Sequence, residues 1–296
     1  MRGTWKLARF FGIDLYLHWS WFLVVLLEFQ DRGAAYTSPI WNLFEILVLF
    51  AIVTLHEYGH ALACRQVGGH ANQIMLWPFG GIAYVDPPVR PAATLWTITA
   101  GPLVNVILIP ILLPLLSISP ANNNLYQFAH SIFWINLGLL IFNIIPVYPL
   151  DGGQILRSLL WFPFGRANSL LAAALIGFVG VAALFVLSWR LGDLWLAAIT
   201  VFILLYCWKG LQSARRLWAL SKLPHHDGLA CPWCQAAPPA EPLWRCRQCQ
   251  NAFDAFAVTA CPACHTASQM IPCPECGHSY PITRWASAST AVTARR

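Results

Sequence analysis

Charged residues are scarce in this chain. Only 10% of its 296 residues are Asp, Glu, Lys or Arg, whereas 58% are hydrophobic. A soluble globular domain carries about 25% charged residues, so this composition excludes an ordinary soluble enzyme. The few charged residues give a formal net charge of +6, which the one-sided placement of Lys and Arg in a membrane protein explains without nucleic-acid binding.

A signal-peptidase cleavage site is also missing from the first thirty residues. Basic residues precede the first apolar stretch, but the segment from Phe10 to Leu27 contains no A-x-A-like pattern. We therefore expect this stretch to stay attached as a membrane span.

Long apolar stretches dominate what is present. Six of them approach the roughly 20 residues that a helix needs to cross a bilayer, at 15–29, 40–63, 93–116, 128–150, 170–189 and 194–208. The sequence therefore predicts an all-α polytopic protein of the lipid bilayer with about six transmembrane helices. Eleven Lys and Arg residues would lie on one side and only Arg32 and Arg190 on the other. The first side, with both termini, is then cytoplasmic, and the compact core is typical of a cell inner membrane protein.

One short segment places ionisable residues inside an apolar stretch. The pattern H-E-x-x-H occupies residues 56–60. Residues four apart lie on one face of a helix, so His56 and His60 can bind one Zn²⁺ while Glu57 reaches a water molecule. A chance pattern would bury two imidazoles and a carboxylate in hydrocarbon at considerable cost. These residues therefore predict a hydrolytic metal site within the membrane.

A third zinc ligand is expected farther along the chain, because an open catalytic zinc site takes three protein ligands. The best candidate is Asp151, which follows an apolar stretch broken by Pro146 and Pro149 and precedes two glycines. Such an irregular backbone is tolerated at membrane depth only where it is buried in protein or lines a wet cavity. The alternative is that the span ends at Pro149 and that Asp151 caps a short helix over 154–161.

The last quarter of the chain differs in composition. Beyond Lys222, eight of the ten cysteines form four C-x-x-C pairs, namely Cys231/Cys234, Cys246/Cys249, Cys261/Cys264 and Cys273/Cys276. Two pairs complete a tetrahedral Cys₄ site, so the sequence predicts two structural zinc ions. Because large apolar residues are few here, we expect this segment to fold only with metal bound.

The pairing of the four C-x-x-C motifs is less constrained. A disulfide framework is the alternative to zinc, but thiols on the cytoplasmic side are kept reduced. Sequence order favours one site from the first two pairs and one from the last two, as tandem ribbons, with interleaved pairing as the alternative. The chain then comprises a membrane core over 1–222, a zinc-ribbon-like cytoplasmic domain over 223–285 and a disordered tail over 286–296. Arginines are too sparse in this domain for nucleic-acid binding, so we expect a cytoplasmic protein partner.

The two core motifs together resemble those of the site-2 protease family, the intramembrane zinc metalloproteases. That family carries H-E-x-x-H in one transmembrane helix and N-x-x-P-x-x-x-L-D-G in a later one, and this chain matches the second motif from Asn143 to Gly152. The resemblance covers residues 10–210. It implies that His56, His60 and Asp151 bind the catalytic zinc, that Glu57 is the general base, and that the substrate is a transmembrane protein.

Other stretches resemble further features of that family. Residues 80–85, after 74–78, resemble a membrane-associated β-hairpin, and 100–105 resemble the start of the third core helix. An extended substrate could pair with the hairpin edge, so Gly80 and Gly81 are candidate substrate-binding residues, although glycines also serve simple turns. Asn143 is a further candidate for binding the substrate backbone, with Asn136 as the alternative.

Two positions are harder to interpret. His18 resembles a histidine found in the first span of smaller family members, where a role as fourth ligand or gate competes with that of an interfacial histidine. The neighbouring Trp19 and Trp21 favour the interfacial role. Tyr148 stands where the family commonly has proline.

Two other functions fit part of the pattern. Ionisable residues inside spans also build ion pathways, so a membrane metal transporter is one alternative, although it leaves the spacing of H-E-x-x-H unexplained. An inactive protease homologue that only binds membrane proteins is the other, although every expected catalytic residue is present.

Overall fold

The computed structural model describes residues 3–22, 25, 36–77, 80–117 and 123–285. Within these residues, five helices are long and apolar enough to cross a membrane. They are α1 (Pro39–Gln66), α2 (Pro91–Leu112), α3 (Asn124–Ile144), α4 (Asp151–Leu191) and α5 (Leu194–Ser221). These helices correspond to the last five predicted stretches, so the multi-pass helical architecture is confirmed.

The start of the first predicted span is a β-strand and not a helix. Residues 15–18 belong to strand β2 (Ile13–His18), not to a helix. Ile13 and Leu15 are buried, whereas Asp14 between them pairs with Lys6 at 2.7 Å. This alternation has the period of two that a half-buried strand requires, whereas the prediction of a span was based on apolar length alone. Most of the remaining stretch, 23–24 and 26–29, lies outside the described residues.

The predicted hairpin is confirmed as part of a larger sheet. Strands β3 (His70–Trp77) and β4 (Gly80–Asp86) pair antiparallel. Strand β2 pairs parallel with β3 and antiparallel with β1 (Thr4–Phe10). The order is β1-β2-β3-β4, so β4 lies at an edge of this sheet. The sheet packs on α1 through a buried cluster that includes Ile74, Leu76, Ala61 and Cys64.

The backbone is irregular between α3 and α4. Helix α3 ends at Ile144, six residues before the predicted limit, because Pro146 cannot continue it. Residues 145–150 are not helical, and α4 begins at Asp151. Helix α4 is itself two helices, since Gly165 has a left-handed φ of 76° that only glycine adopts easily. The segment 151–164 is therefore separate in direction from the span that follows.

The cysteine-rich segment forms a small domain with two short hairpins. Strand β5 (Trp244–Arg245) pairs with β6 (Ala252–Phe253), and β7 (Ile271–Pro272) with β8 (Ser279–Tyr280). Its buried cluster consists of four cysteines and five other apolar residues. These are Trp244, Phe253, Ala255, Ile271 and Trp285. So small an apolar core indicates that the thiols contribute to stability. The predicted disordered tail, 286–296, lies outside the described residues.

Candidate active site

The H-E-x-x-H motif lies on α1 with both imidazoles buried. One helical turn separates His56 from His60, so the rings lie on the same face with their centroids 4.8 Å apart. The two Nε2 atoms are 3.2 Å apart. This spacing brings the two nitrogens to one point in the interior of the helical bundle.

Asp151 completes the group. Its Oδ2 lies 3.1 Å from the Nε2 of His56 and 3.3 Å from that of His60. Bonds of about 2.0–2.2 Å to a tetrahedral zinc place ligand atoms about 3.3–3.5 Å apart, so the three residues fit a zinc ion closely. Asp151 is the first residue of α4, and the N-cap is Leu150, which makes no side-chain capping bond. The helix-capping alternative is therefore not favoured.

Two polar groups on α2 contact the imidazoles, and neither was predicted to do so. Asn105 Oδ1 lies 2.6 Å from Nδ1 of His56, and the backbone oxygen of Thr97 lies 2.9 Å from Nδ1 of His60. Asn105 is itself held by Asn136, whose Oδ1 accepts from Nδ2 of Asn105 at 2.8 Å and whose Nδ2 donates to the backbone oxygen of Asn105 at 3.0 Å. An acceptor at Nδ1 fixes the proton there and leaves Nε2 free to bind a metal, as is usual around metal-binding histidines.

These contacts correct two predictions. Residues 100–105 lie in the middle of α2, not at the start of a helix. Asn136 supports Asn105 and thereby His56, instead of lying at a substrate position. The sequence contained one indication that this part of α2 approaches the site, because Gly101 and Asn105 are four residues apart and share one helix face. That face is pressed against the site, because a Cβ on Gly101 would lie 2.2 Å from Nε2 of His60.

Glu57 is buried beside the three candidate ligands. Its Oε2 accepts a hydrogen bond from the backbone N–H of Ala83, at 2.7 Å, so strand β4 holds the carboxylate in place. Gly81 makes this approach possible, since a Cβ there would lie 2.2 Å from Cγ of Glu57. The predicted hairpin glycines thus lie at the candidate catalytic carboxylate.

A cavity of about 340 Å³ opens onto this site. It is bounded by the motif residues and Asp151, by Gly80 and Gly81 on β4, by Asn143 on α3, and by apolar side chains that include Ile98, Leu139, Phe142 and Phe202. Asn143 donates to the backbone oxygen of Leu139 at 3.0 Å. All three predicted substrate-binding residues therefore line one cavity with the candidate metal ligands.

His18 and Tyr148, the two positions that were harder to interpret, lie outside the candidate ligand group. His18 ends β2 and bonds through Nδ1 to the hydroxyl of Ser20, outside the His56, His60 and Asp151 group. Cys207 is buried and donates to the backbone oxygen of Tyr148 at 2.9 Å. The ring of Tyr148 fills the space over Gly210, which explains how this chain accommodates tyrosine where the family has proline.

The eight cysteines form two groups, but not in sequence order. The first and last pairs meet, with Cys231 Sγ 3.8 Å from Cys276 and Cys234 Sγ 3.6 Å from Cys273. The two middle pairs form the other group, with Sγ distances of 3.5 Å from Cys246 to Cys264 and from Cys249 to Cys261. The expected tandem pairing is therefore wrong. A nested arrangement brings the two ends of the domain together.

The sulfur distances match zinc sites and not disulfides. Four thiolates around a zinc at about 2.3 Å lie about 3.8 Å apart, whereas a disulfide bond is about 2.05 Å long. All eight cysteines are free. The donor sets of both groups therefore fit structural zinc.

The cysteine-rich domain contacts the open end of the β3–β4 hairpin. His278 Nε2 pairs with Asp86 Oδ2 at 2.8 Å, and the ring of Trp233 stacks between His70 and His278. Burial alone would lower the pKa of His278, but its contacts with Cys276 and Asp86 raise it. Asp86 is three residues from Ala83, so the domain reaches the strand that holds Glu57.

Comparison with known proteins identifies similar chains. The model of peptidase family M50 matches residues 44–120 and 117–187, which include all three candidate ligands. A zinc metalloprotease of Methanocaldococcus jannaschii is 32% identical over 219 residues, which are 73% of this chain and 62% of that protein. Stage IV sporulation protein FB of Bacillus subtilis is 30% identical over 131 residues, 42% of this chain and 44% of that protein.

A solved structure is also similar. The site-2 protease from Methanocaldococcus jannaschii matches with a TM-score of 0.53 and 27% identity, covering 70% of this chain and 95% of that one. The chain spans 57–62% of the length of the first curated relatives that it matches. The family match ends at residue 187, before the cysteine-rich domain.

Proposed function

We propose, from the premise that this chain belongs to the peptidase M50 family of site-2 proteases, that it is an intramembrane zinc metalloprotease. It hydrolyses peptide bonds of transmembrane protein substrates. The observation that carries this proposal is the convergence of His56, His60 and Asp151 beside a buried Glu57, in a cavity among membrane-capable helices. No arrangement of this kind is needed for a protein that only binds membrane segments.

The chemistry follows from the roles of these residues. His56, His60 and Asp151 would hold the zinc, which when bound polarises the scissile carbonyl and acidifies the attacking water. Glu57 accepts the proton of that water and delivers it to the leaving amine. The N–H of Ala83 keeps the carboxylate pointing into the cavity, so Glu57 needs little reorganisation during the reaction.

The substrate is best accommodated as an extended strand. Strand β4 lies at an edge of the described sheet and lines the cavity, so an unwound segment of a transmembrane helix can add to it through backbone hydrogen bonds. Gly80 and Gly81 leave room for that backbone. Asn143 lies across the cavity, where its amide can bind the substrate chain.

The cysteine-rich domain, over about 223–285, completes the proposal. It would bind two structural zinc ions, one in each cysteine group, and would lie in the cytoplasm with both termini of an inner membrane protein. Because it contacts His70 and Asp86, we assign it the role of positioning strand β4, the edge with which the substrate pairs. Its exposed surface remains available to a cytoplasmic protein partner.

Glu57→Gln and His56→Ala test the proposal as a pair. Glu57→Gln should lower cleavage of a transmembrane substrate about 100- to 10,000-fold, the usual effect of general acid–base catalysis, and keep the catalytic zinc. His56→Ala should lose both. Full activity of Glu57→Gln would overturn the mechanism. A change in zinc uptake by vesicles, without any peptide cleavage by the wild type, would favour a transporter instead.

A further inference from the structure

A second cavity lies away from the active site, between the end of α5 and the cysteine-rich domain. Its volume is about 510 Å³. Arg216 of α5 and Arg245 and Arg247 of the domain line it, together with the apolar side chains of Leu220, Leu243 and Met270. Neither the proposed peptide hydrolysis nor the two cysteine groups uses these arginines.

The cavity is strongly cationic. No Asp or Glu is among its described lining residues, and none of the three arginines takes part in an ion pair within the part of the chain that the structure describes. Arg166 is different, since it pairs with Glu275 at 3.6 Å. The three arginines are themselves exposed, and together, without a carboxylate in the described lining, they give the cavity a positive potential that attracts an anion.

The position of the cavity favours an anion at the membrane surface. Arg216 lies seven residues beyond Lys209, the first charged residue of α5, which is about 10 Å along a helix. A long arginine side chain can extend back toward the headgroups. Trp218, two residues on, is 53% exposed, as is typical of aromatic residues at a membrane interface. Lys209, Arg215 and Lys222 add further positive charge to this end of the helix.

We propose that this cavity binds the phosphate group of an anionic phospholipid. Arginine binds phosphate through paired, charge-assisted hydrogen bonds, and basic clusters next to a transmembrane helix are typical sites for acidic lipids. The apolar part of the lining distinguishes a lipid from free phosphate. Leu243 and Met270 are each 43% exposed, and they match the glycerol and upper acyl carbons of a lipid, whereas inorganic phosphate would gain nothing from them.

The test is lipid binding by the delipidated full-length protein in a neutral detergent, measured by native mass spectrometry. Phosphatidylglycerol is the probe, phosphatidylcholine the neutral control and inorganic phosphate the competitor. We expect one retained phosphatidylglycerol per chain. Arg245→Ala/Arg247→Ala should weaken this binding roughly 30-fold, because each arginine near an acidic lipid contributes about a factor of five. Arg190→Ala/Arg284→Ala removes the same charge from exposed positions outside the cavity and should leave binding unchanged.

The possible results either support or overturn the assignment of a lipid to this cavity. Equal binding of the two lipids, or equal losses in the two double variants, would overturn the proposal. Displacement of phosphatidylglycerol by equimolar inorganic phosphate would assign the cavity to free phosphate and overturn the lipid source. Stronger binding of an acidic peptide, such as oligoglutamate, would make the cavity a protein-docking site instead. Zinc content, measured on every variant, shows whether the cysteine-rich domain is still folded.

Discussion

Replacement of Asn105 by alanine should weaken zinc binding at the active site, although Asn105 is not a ligand. Its Oδ1 lies 2.6 Å from Nδ1 of His56, and its amide donates to Asn136 at 2.8 Å. All of these groups are buried. The variant therefore leaves one imidazole nitrogen and one amide oxygen without partners, at about 1–3 kcal/mol for each group.

The expected effect on the metal follows from the imidazole alone. Loss of such a support lowers metal affinity about 10- to 100-fold, which is about 1.4–2.7 kcal/mol. This range agrees with one unmade buried hydrogen bond. Asn136→Ala should have a smaller effect, because the contact of Asn105 with His56 is kept and only the support of Asn105 is lost.

The assay is a zinc titration of the full-length protein against a chelator of known affinity. The zinc held by the cysteine groups is obtained from the double variant His60→Ala/Asp151→Ala and subtracted. Asn168→Ala, on the exposed face of α4, is the control for a general effect of losing an amide. Wild-type affinity in Asn105→Ala would refute the role assigned to this residue. An affinity loss in Asn136→Ala as large as that in Asn105→Ala would show that the whole pair acts as one unit.

Three other predictions concern the hairpin and the cysteine-rich domain. Gly81→Ala should abolish most cleavage but retain zinc, because its Cβ would displace Glu57, whereas Gly138→Ala, with open space around it, should remain active; equal activities would contradict the packing described. During mild oxidation of the zinc-loaded protein, peptide mapping should find that the first disulfides between motifs join Cys231 or Cys234 to Cys273 or Cys276, and links from the first pair to the second pair would restore the tandem arrangement. Asp86→Ala should speed hydrogen exchange of the β4 amides and lower cleavage severalfold without loss of zinc; unchanged exchange would remove the proposed positioning role of the domain.

Patterns confined to short segments were readable from the sequence. The spacing of His56 and His60 requires only a helix to bring them together, and apolar length alone located the five described membrane-capable helices. The hairpin was recognisable from its resemblance to the family. Asp151 was found as a candidate because a carboxylate between prolines and glycines is unusual at membrane depth.

Features that depend on contacts between distant segments were not readable. Helix α2 supplies Asn105 and the carbonyl oxygen of Thr97; the spacing of Gly101 and Asn105 marks one face of this helix but does not show which histidine that face will contact. The nested cysteine pairing depends on how the domain folds back on itself, and four equal C-x-x-C pairs carry no information about that path. Strand β2 was missed because the prediction used apolar length alone, although Asp14, Tyr16 and His18 alternate with Ile13, Leu15 and Leu17.

The most direct test of the account is to determine the position of the cleaved peptide bond and whether the new carboxyl group takes its oxygen from water. The purified protein would be reconstituted in vesicles with a single-span transmembrane substrate in water enriched in ¹⁸O, and the products analysed by mass spectrometry. The account predicts cleavage within the membrane-spanning segment, one ¹⁸O in the new carboxyl terminus, and loss of this product in Glu57→Gln, whose zinc content stays at the wild-type level. Cleavage only outside the span, or equal product from the variant, would contradict it.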